Sequence, residues 1–102
     1  MELNKYPYPS EQAASTVVDE QAVIILTDSG KVTILNNLGT FVWELSDGTR
    51  TIAEIIREII EKFEVDQLTA ESDVCLFLNE LIEIQALIFS DNPKPPSDYQ
   101  TH

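Results

Sequence analysis

The first half of the chain carries the apolar pattern of short β-strands. Val17-Val18 opens a strand, and the polar stretch Asp19–Gln21 predicts a turn. The unbroken apolar run Ala22–Leu26 follows, which is typical of a central strand covered on both faces. Asp28–Gly30 supplies the next turn. We therefore expect two paired strands in this part of the chain.

The next segment, Lys31–Leu35, alternates in character. Val32 and Ile34 point to one side of a strand, and the other three residues point to the opposite side. Because a meander of three strands leaves its third strand open on one side, this pattern predicts an edge strand. Its unpaired N–H and C=O groups would accept a strand from another chain, unless Lys31 protects the edge.

Two helices are predicted next by apolar residues that repeat every three or four positions. The first has Asn36 or Asn37 as its N-cap and ends at Ser46–Gly48. The second begins with a capping box of Thr51 and Glu54 and has the strongest helical pattern in the chain. The apolar stripes are Leu38, Phe41, Val42 and Leu45, then Ile52, Ile55, Ile56, Ile59, Ile60 and Phe63.

A third helix is predicted from about Ala70 to Ile84, with Thr69 or Ser72 as its N-cap. The apolar run Leu87–Phe89 then docks as a strand or as extended chain. This order predicts an α+β, winged-helix-like domain with a three-stranded antiparallel sheet followed by three helices.

Both ends of the chain are rich in proline. Residues 1–14 contain Tyr6-Pro7-Tyr8-Pro9, where alternate prolines exclude a helix and predict an extended arm with little to pack against. Residues 91–102 are expected to form a disordered tail around Pro93, Pro95 and Pro96. The folded unit is therefore placed at residues 15–90.

The charge of the chain narrows the classes of partner. The 102 residues include 6 Lys and Arg against 18 Asp and Glu, for a formal charge of −12. The basic residues are scattered, whereas a nucleic-acid binder needs clustered cations to replace the counterions on phosphate. The sequence has no apolar run near the roughly 20 residues that span a bilayer, and no secretory signal pattern. We expect a cytoplasmic protein that binds neither nucleic acid nor a membrane.

No catalytic or metal-binding constellation is evident in the sequence. The only histidine, His102, is the last residue, and Glu61, Glu64 and Asp66 lack the spacing of a calcium loop. Cys75 is interpreted as a packing residue, with a redox role as the alternative. We therefore predict no enzymatic activity, no cofactor and no metal.

Two further residues suggest binding, although neither is specific alone. Leu76 interrupts the outer face of the third helix between Asp73 and Glu80. Trp43 lies about 100° from the apolar stripe of the first helix, so it either contacts a partner or covers the flank of the sheet.

An ordered set of residues from position 35 onward is more specific. Its members are Leu35-Asn36-x-x-Gly39-x-x-x-Trp43-x-Leu45-x-Asp47-Gly48-x-x-Thr51-Ile52-x-Glu54-Ile55, then Asp73-Val74-x-x-Phe77-Leu78-x-x-Leu81, then Leu87-Ile88. With this set, residues 15–89 closely resemble the PqqD family. That family is named for the peptide chaperone of pyrroloquinoline quinone biosynthesis and is the archetype of the recognition elements of ribosomally made, post-translationally modified peptides. The chain departs from it at Ala86 and at Asp19–Gln21, where the family often has glycine.

The resemblance implies a non-catalytic module that captures the leader segment of a precursor peptide and presents it to a maturation enzyme. In the family, the leader adds as a strand beside the third strand, in a groove closed by the third helix. The implied partners are the precursor peptide and either a radical S-adenosylmethionine enzyme or the leader peptidase of lasso-peptide pathways. The peptide-binding residues carried over by position are Lys31, Val32, Thr33, Ile34, Leu35, Asp73, Leu76, Phe77 and Glu80.

Two other classes are kept as alternatives. One is an acidic winged-helix transcriptional regulator or another protein-interaction module, and the other is a small acidic enzyme. A regulator would bind DNA with an affinity that falls steeply with salt. For strand addition, Thr33→Pro is expected to abolish leader binding and spare the fold, because it is predicted to remove an N–H group from the open edge.

Overall fold

The computed structural model describes residues 1–94, which form two antiparallel sheets and three helices. Strands β2, β3 and β4 form a three-stranded sheet in that order, and β1 pairs with β5. The predicted α+β, winged-helix-like class is confirmed. The elements are β1 Tyr6–Pro9, β2 Ala13–Val18, β3 Gln21–Leu26, β4 Val32–Ile34, α1 Asn37–Leu45, α2 Ile52–Phe63, α3 Gln67–Glu83 and β5 Leu87–Ser90.

The three-stranded sheet is buried on one face. Ala22, Ile24 and Leu26 of β3 belong to the same core cluster as the buried residues of the three helices. Val23 and Ile25 point to the other face, where Ile25 is 40 % exposed. The expectation that this strand is covered on both faces is therefore wrong. The helices follow the sheet in the chain and pack on one side of it, so an unbroken apolar run did not require two covering layers.

The N-terminal arm is extended, as predicted, but it is packed against the domain. Strand β1 pairs antiparallel with β5, and Pro7 is fully buried. Alternate prolines still leave N–H groups on Tyr6 and Tyr8, and a strand with one neighbour uses the N–H groups of alternate residues. The predicted boundary at residue 15 falls inside β2, because the sheet begins at Ala13.

The arm also completes the start of α2. The Ile52 N–H donates to the Lys5 carbonyl over 3.0 Å, and the Ala53 N–H donates to the Leu3 carbonyl over 2.9 Å. The predicted capping box of Thr51 with Glu54 is present as well. Because the first N–H groups of a helix have no partner within the helix, the arm satisfies two that the capping box does not reach.

The N-cap residues fix where helices α1 and α3 begin. Asn36, one of the two candidates, caps α1 and accepts a hydrogen bond from the Gly39 N–H over 2.8 Å. Helix α3 begins three residues before the predicted start, because the Asp66 side chain accepts from the Thr69 N–H over 2.8 Å. The first turn of α3 is exposed, so apolar periodicity gave no signal for it.

The C-terminal run is a strand, one of its two predicted forms, and the chain stays packed beyond it. The Lys94 N–H donates to the Gly48 carbonyl over 2.8 Å. The Lys94 ammonium lies 4.2 Å from the centre of the Tyr8 ring. The expected disordered tail is thus ordered at its start, and its residues 95–102 lie outside the described range.

The two departures from the family pattern lie at turns. Asp19 and Glu20 adopt left-handed backbone angles, with φ of 51° and 67°, and join β2 to β3 without glycine. At the end of α3 the left-handed residue is Gln85, with φ of 66°. Ala86 itself is fully buried and donates its N–H to the Leu81 carbonyl over 2.9 Å. Neither position requires glycine in this chain to complete its turn.

Candidate functional site

The register of β4 decides which of its backbone groups face the open edge. The Leu26 N–H donates to the Lys31 carbonyl, and the Leu35 N–H donates to the Ala22 carbonyl, each over 2.9 Å. Thr33 lies opposite Ile24, midway between these two bonds. Backbone groups in an antiparallel pair point inward at every second residue, so those of Thr33 point to β3 and those of Val32 and Ile34 point outward.

The predicted edge is therefore narrowed to Val32 and Ile34, whose side chains are 56 % and 64 % exposed. Leu35 is buried in the core, and its N–H group bonds to β3. The expected effect of Thr33→Pro has to be revised, because this change would remove a hydrogen bond inside the sheet. The informative substitution lies at one of the two outward-facing residues.

The Thr40 hydroxyl joins helix α1 to the end of this edge. It accepts from the Ala22 N–H over 2.8 Å and donates to the Leu35 carbonyl over 3.4 Å. These two backbone groups would pair directly if the β3–β4 ladder continued. The buried hydroxyl thus replaces one ladder bond and fixes the N-terminal turn of α1 beside β4.

The four predicted residues of α3 meet in one groove of about 320 Å³, which we call the central groove. Leu76 is 61 % exposed and lies with the half-buried Phe77 between the exposed acids Asp73 and Glu80. The opposite wall is the start of α1. The lining residues are Asn36, Leu38, Gly39, Asp73, Leu76, Phe77 and Glu80.

Asn36, Leu38 and Gly39 were not predicted as site residues. A Cβ atom on Gly39 would lie 2.9 Å from Cε1 of Phe77, so glycine at this position lets the aromatic ring pack against α1. Gly39 and Phe77 both belong to the motif quoted above. Their place in the same motif was the one sequence signal that could have linked them. The contact itself depends on how α1 and α3 pack and cannot be predicted from spacing.

The central groove begins where β4 ends, since Asn36 follows the strand by two residues. Lys31, at the other end of β4, lies apart from it in a groove of about 240 Å³, which we call the turn groove. The structure therefore places the edge residues between two grooves. The turn groove is lined by Gln12, Leu26, Asp28, Ser29, Lys31, Glu83, Ile84 and Gln85.

The two larger depressions are lined neither by residues 31–35 nor by residues of α3. One of about 550 Å³ includes Phe41 and Phe63, and the Lys62 ammonium lies 5.1 Å from the centre of the Phe41 ring. Another of about 440 Å³ follows the charged outer face of α2. The open backbone groups of β4, rather than volume, distinguish the central groove.

The remaining candidate residues have structural roles. Trp43 is buried, and its Nε1–H donates to the Ser15 hydroxyl over 3.1 Å, which confirms that it covers the sheet. Burial, aided by nearby Glu71, raises the pKa of the Cys75 thiol, which favours the packing interpretation. Within residues 1–94, no group of three potential metal-ligating side chains occurs. None of the helices described has the length and apolar character needed to cross a membrane.

A family model described as coenzyme PQQ synthesis protein D (PqqD) matches residues 21–87. The chain belongs to the PqqD family. The match includes β3, β4 and all three helices, and therefore both walls of the central groove and the open edge. It leaves out β1 and β2, so the packed N-terminal arm of this PqqD-family chain lies outside the matched segment.

Two solved structures resemble this PqqD-family chain. The structure of TbiB1 in complex with the TbiA(beta) leader peptide contains a chain 28 % identical to it, with a TM-score of 0.72. That similarity covers 78 % of this chain and 93 % of the other. Lasso peptide synthetase B1 complexed with the leader peptide is 20 % identical, with a TM-score of 0.73 over 81 % and 98 % of the chains, and this likeness concerns the fold alone. The curated proteins contain no match.

Proposed function

We propose that this chain is a non-catalytic recognition module that binds the leader segment of a ribosomally made precursor peptide and presents it to a maturation enzyme. The observation that carries the proposal is the outward N–H and C=O groups of Val32 and Ile34 beside the central groove. Family membership and the likeness to TbiB1, which was solved with a leader peptide, support it. These observations favour peptide binding over the DNA-binding alternative.

Binding would proceed by strand addition. An extended peptide pairs with the outward groups of β4, and these main-chain hydrogen bonds provide affinity for many sequences. Side chains on one face of the added strand enter the central groove, where Leu76 and Phe77 favour apolar groups. Asp73 and Glu80 favour lysine or arginine nearby, so binding of a basic leader weakens with salt.

Catalysis is assigned to a separate partner in this proposal. The partner is either a radical S-adenosylmethionine enzyme that modifies the precursor or a peptidase that removes its leader. The module would raise the local concentration of precursor at that enzyme, because both bind the same small protein.

The proposal predicts that Ile34→Pro weakens leader binding at least about tenfold, because the change removes an outward N–H group and obstructs the added strand. Thr33 before it is already extended in β4, as a residue before proline must be. Isothermal titration would use synthetic leader segments of short reading frames encoded beside this chain, together with the TbiA(beta) leader peptide.

Two matched variants distinguish a loss of peptide pairing at the open edge from a loss of fold stability. Ile34→Thr keeps the N–H group and should bind within a few-fold of the original chain, whereas Thr33→Pro should lower the unfolding midpoint in urea. In a second measurement, N-methylation of successive peptide residues should weaken binding at every second position. Equal affinity of Ile34→Pro and Ile34→Thr, without that alternation, would refute strand addition at β4. Failure of every leader segment to bind would refute the proposed function.

A further inference from the structure

We infer that the peptide site continues past the N-terminal end of β4 into the turn groove, and that this groove binds a lysine or arginine side chain of the same leader. The inference rests on the proposed function and adds a sequence requirement to it. The recognised segment would carry an apolar residue for the central groove and a basic residue about four positions away.

Helix α3 connects the two grooves. Leu76 and Phe77 line the central groove, and Glu83 lines the turn groove at the end of the same helix. Lys31 and Asn36 stand at the corresponding ends of β4. The strand and the helix therefore run side by side in opposite directions, and a peptide added to β4 passes both grooves.

The spacing follows from the geometry of the two elements. Leu76 and Glu83 are about 10 Å apart along a helix that rises 1.5 Å per residue. From Lys31 to Asn36, the residues of this segment that line the two grooves, an extended strand covers about 17 Å. Because α3 borders both grooves, the two peptide side chains must point to the same face of the added strand, which requires an even spacing. Four residues, about 13 Å, lie between these two lengths, whereas two residues, about 7 Å, fall short of both and six, about 20 Å, exceed both.

The turn groove has the chemistry of a site for a basic side chain. Leu26 and Ile84 provide buried and half-buried apolar surface for a long aliphatic stem. Glu83 and Asp28 are exposed carboxylates beside it. A leader lysine or arginine would lay its stem on the apolar surface and direct its charge to these two groups.

The other polar groups of the turn groove, on Gln12 and Lys31, do not cancel its preference for a basic side chain. The Gln12 amide nitrogen, in the orientation that satisfies both side chains, lies 2.8 Å from Oδ2 of Asp28 and orients that carboxylate without neutralising it. Lys31 forms no ion pair with any residue in the range 1–94. Two carboxylates against one ammonium leave the groove negative, so an acidic leader residue would be disfavoured there.

The test uses a displayed library of random short peptides, selected against the unmodified protein, Glu83→Lys and Glu61→Lys. Glu61 lies on the outer face of α2, away from both grooves, and provides the same charge change. The unmodified protein and Glu61→Lys should enrich peptides with an apolar residue and a lysine or arginine four positions apart. Glu83→Lys should lose the basic residue at that position. Moving it by one position should weaken binding by the unmodified protein about fivefold in titration.

The results of this selection test the basic-residue site and the proposed leader binding separately. Peptides that depend on Ile34 but show no basic preference at the fourth position, or keep it in Glu83→Lys, would overturn the inference and leave strand addition standing. A selection that yields no peptide sensitive to Ile34→Pro would contradict the proposed function itself. When the spacing is found, the side on which the basic residue lies gives the direction of the added strand.

Discussion

Among single residues, Thr40 links helix α1 to strand β3 and to the end of β4. Its hydroxyl accepts from the Ala22 N–H of β3 and donates to the carbonyl of Leu35, the residue after β4, and these two groups have no bond to each other in the ladder. The same residue lies on α1, which forms one wall of the central groove. Thr40, whose place in the sequence gives no sign of this role, therefore links the wall of the central groove to the open edge of the sheet.

Thr40→Val should lower the free energy of unfolding by about 1–3 kcal/mol, because it keeps the shape of the side chain and leaves the buried Ala22 N–H unsatisfied. Thr40→Ser restores the hydroxyl and should recover most of that loss. Urea unfolding of the three proteins measures the difference. Equal stability of the valine and serine variants would show that the bridge contributes nothing.

Among the secondary-structure elements, α3 both contributes to the core and lines the central groove. Val74, Leu78 and Leu81 are buried, while Leu76 on the outer side stays exposed in the central groove. The helix is longer than its apolar stripe predicts, because Asp66 caps an exposed first turn. Hydrogen bonds from the Thr69 side chain and backbone lower the pKa of the Asp66 carboxyl group.

This lowered pKa makes the cap sensitive to acid. The ionised carboxylate is favoured in the folded chain, so its contribution to stability is present above 3.8, the usual pKa of an aspartate, and is lost as the pH falls through the lower pKa of the folded chain. Asp66→Asn keeps a good N-cap but does not titrate. The two proteins should have similar urea midpoints at neutral pH, and the original chain should lose stability more steeply in acid. Parallel pH profiles would contradict this account.

In the molecule as a whole, the N-terminal arm packs against strand β5 and against the start of α2. Strands β1 and β5 pair although about 80 residues separate them in the sequence. The Pro7 carbonyl also accepts a hydrogen bond from the Gly48 N–H over 2.8 Å. Lys5 pairs with Asp91, which raises the pKa of its ammonium group. The arm also caps α2 through two of its carbonyl groups. The N-terminal arm is thus a structural part of the domain.

Deletion of residues 1–9 should lower the free energy of unfolding by about 3 kcal/mol or more, because it removes the pairing of β1 with β5, three further hydrogen bonds worth about 1 kcal/mol each and the buried Pro7. Lys5→Gln removes only the two surface ion pairs of Lys5, with Glu2 and Asp91, and should leave the urea midpoint unchanged. Urea unfolding followed by circular dichroism compares the three chains. A truncated chain as stable as the original would show that the arm is dispensable.

Features that depend on neighbours a few residues away could be predicted from the amino-acid sequence. The capping box of Thr51 and Glu54 and the apolar stripe of α2 follow from spacing within one or two helical turns, whereas the choice of Asn36 over Asn37 as the cap of α1 came from the structure. The alternation in Lys31–Leu35 predicted a strand with an open edge, and the ordered motif carried the family resemblance. These features are local, so their residues alone specify them.

The backbone groups that face the open edge are set by the pairing of β4 with β3. Alternation places side chains on two faces, but the register with β3 selects Val32 and Ile34 rather than Thr33 as the outward residues. The contact of Gly39 with Phe77 and the pairing of β1 with β5 join residues far apart in the chain. Such contacts depend on how complete elements pack and on their mutual register, which periodicity along one strand or helix does not encode.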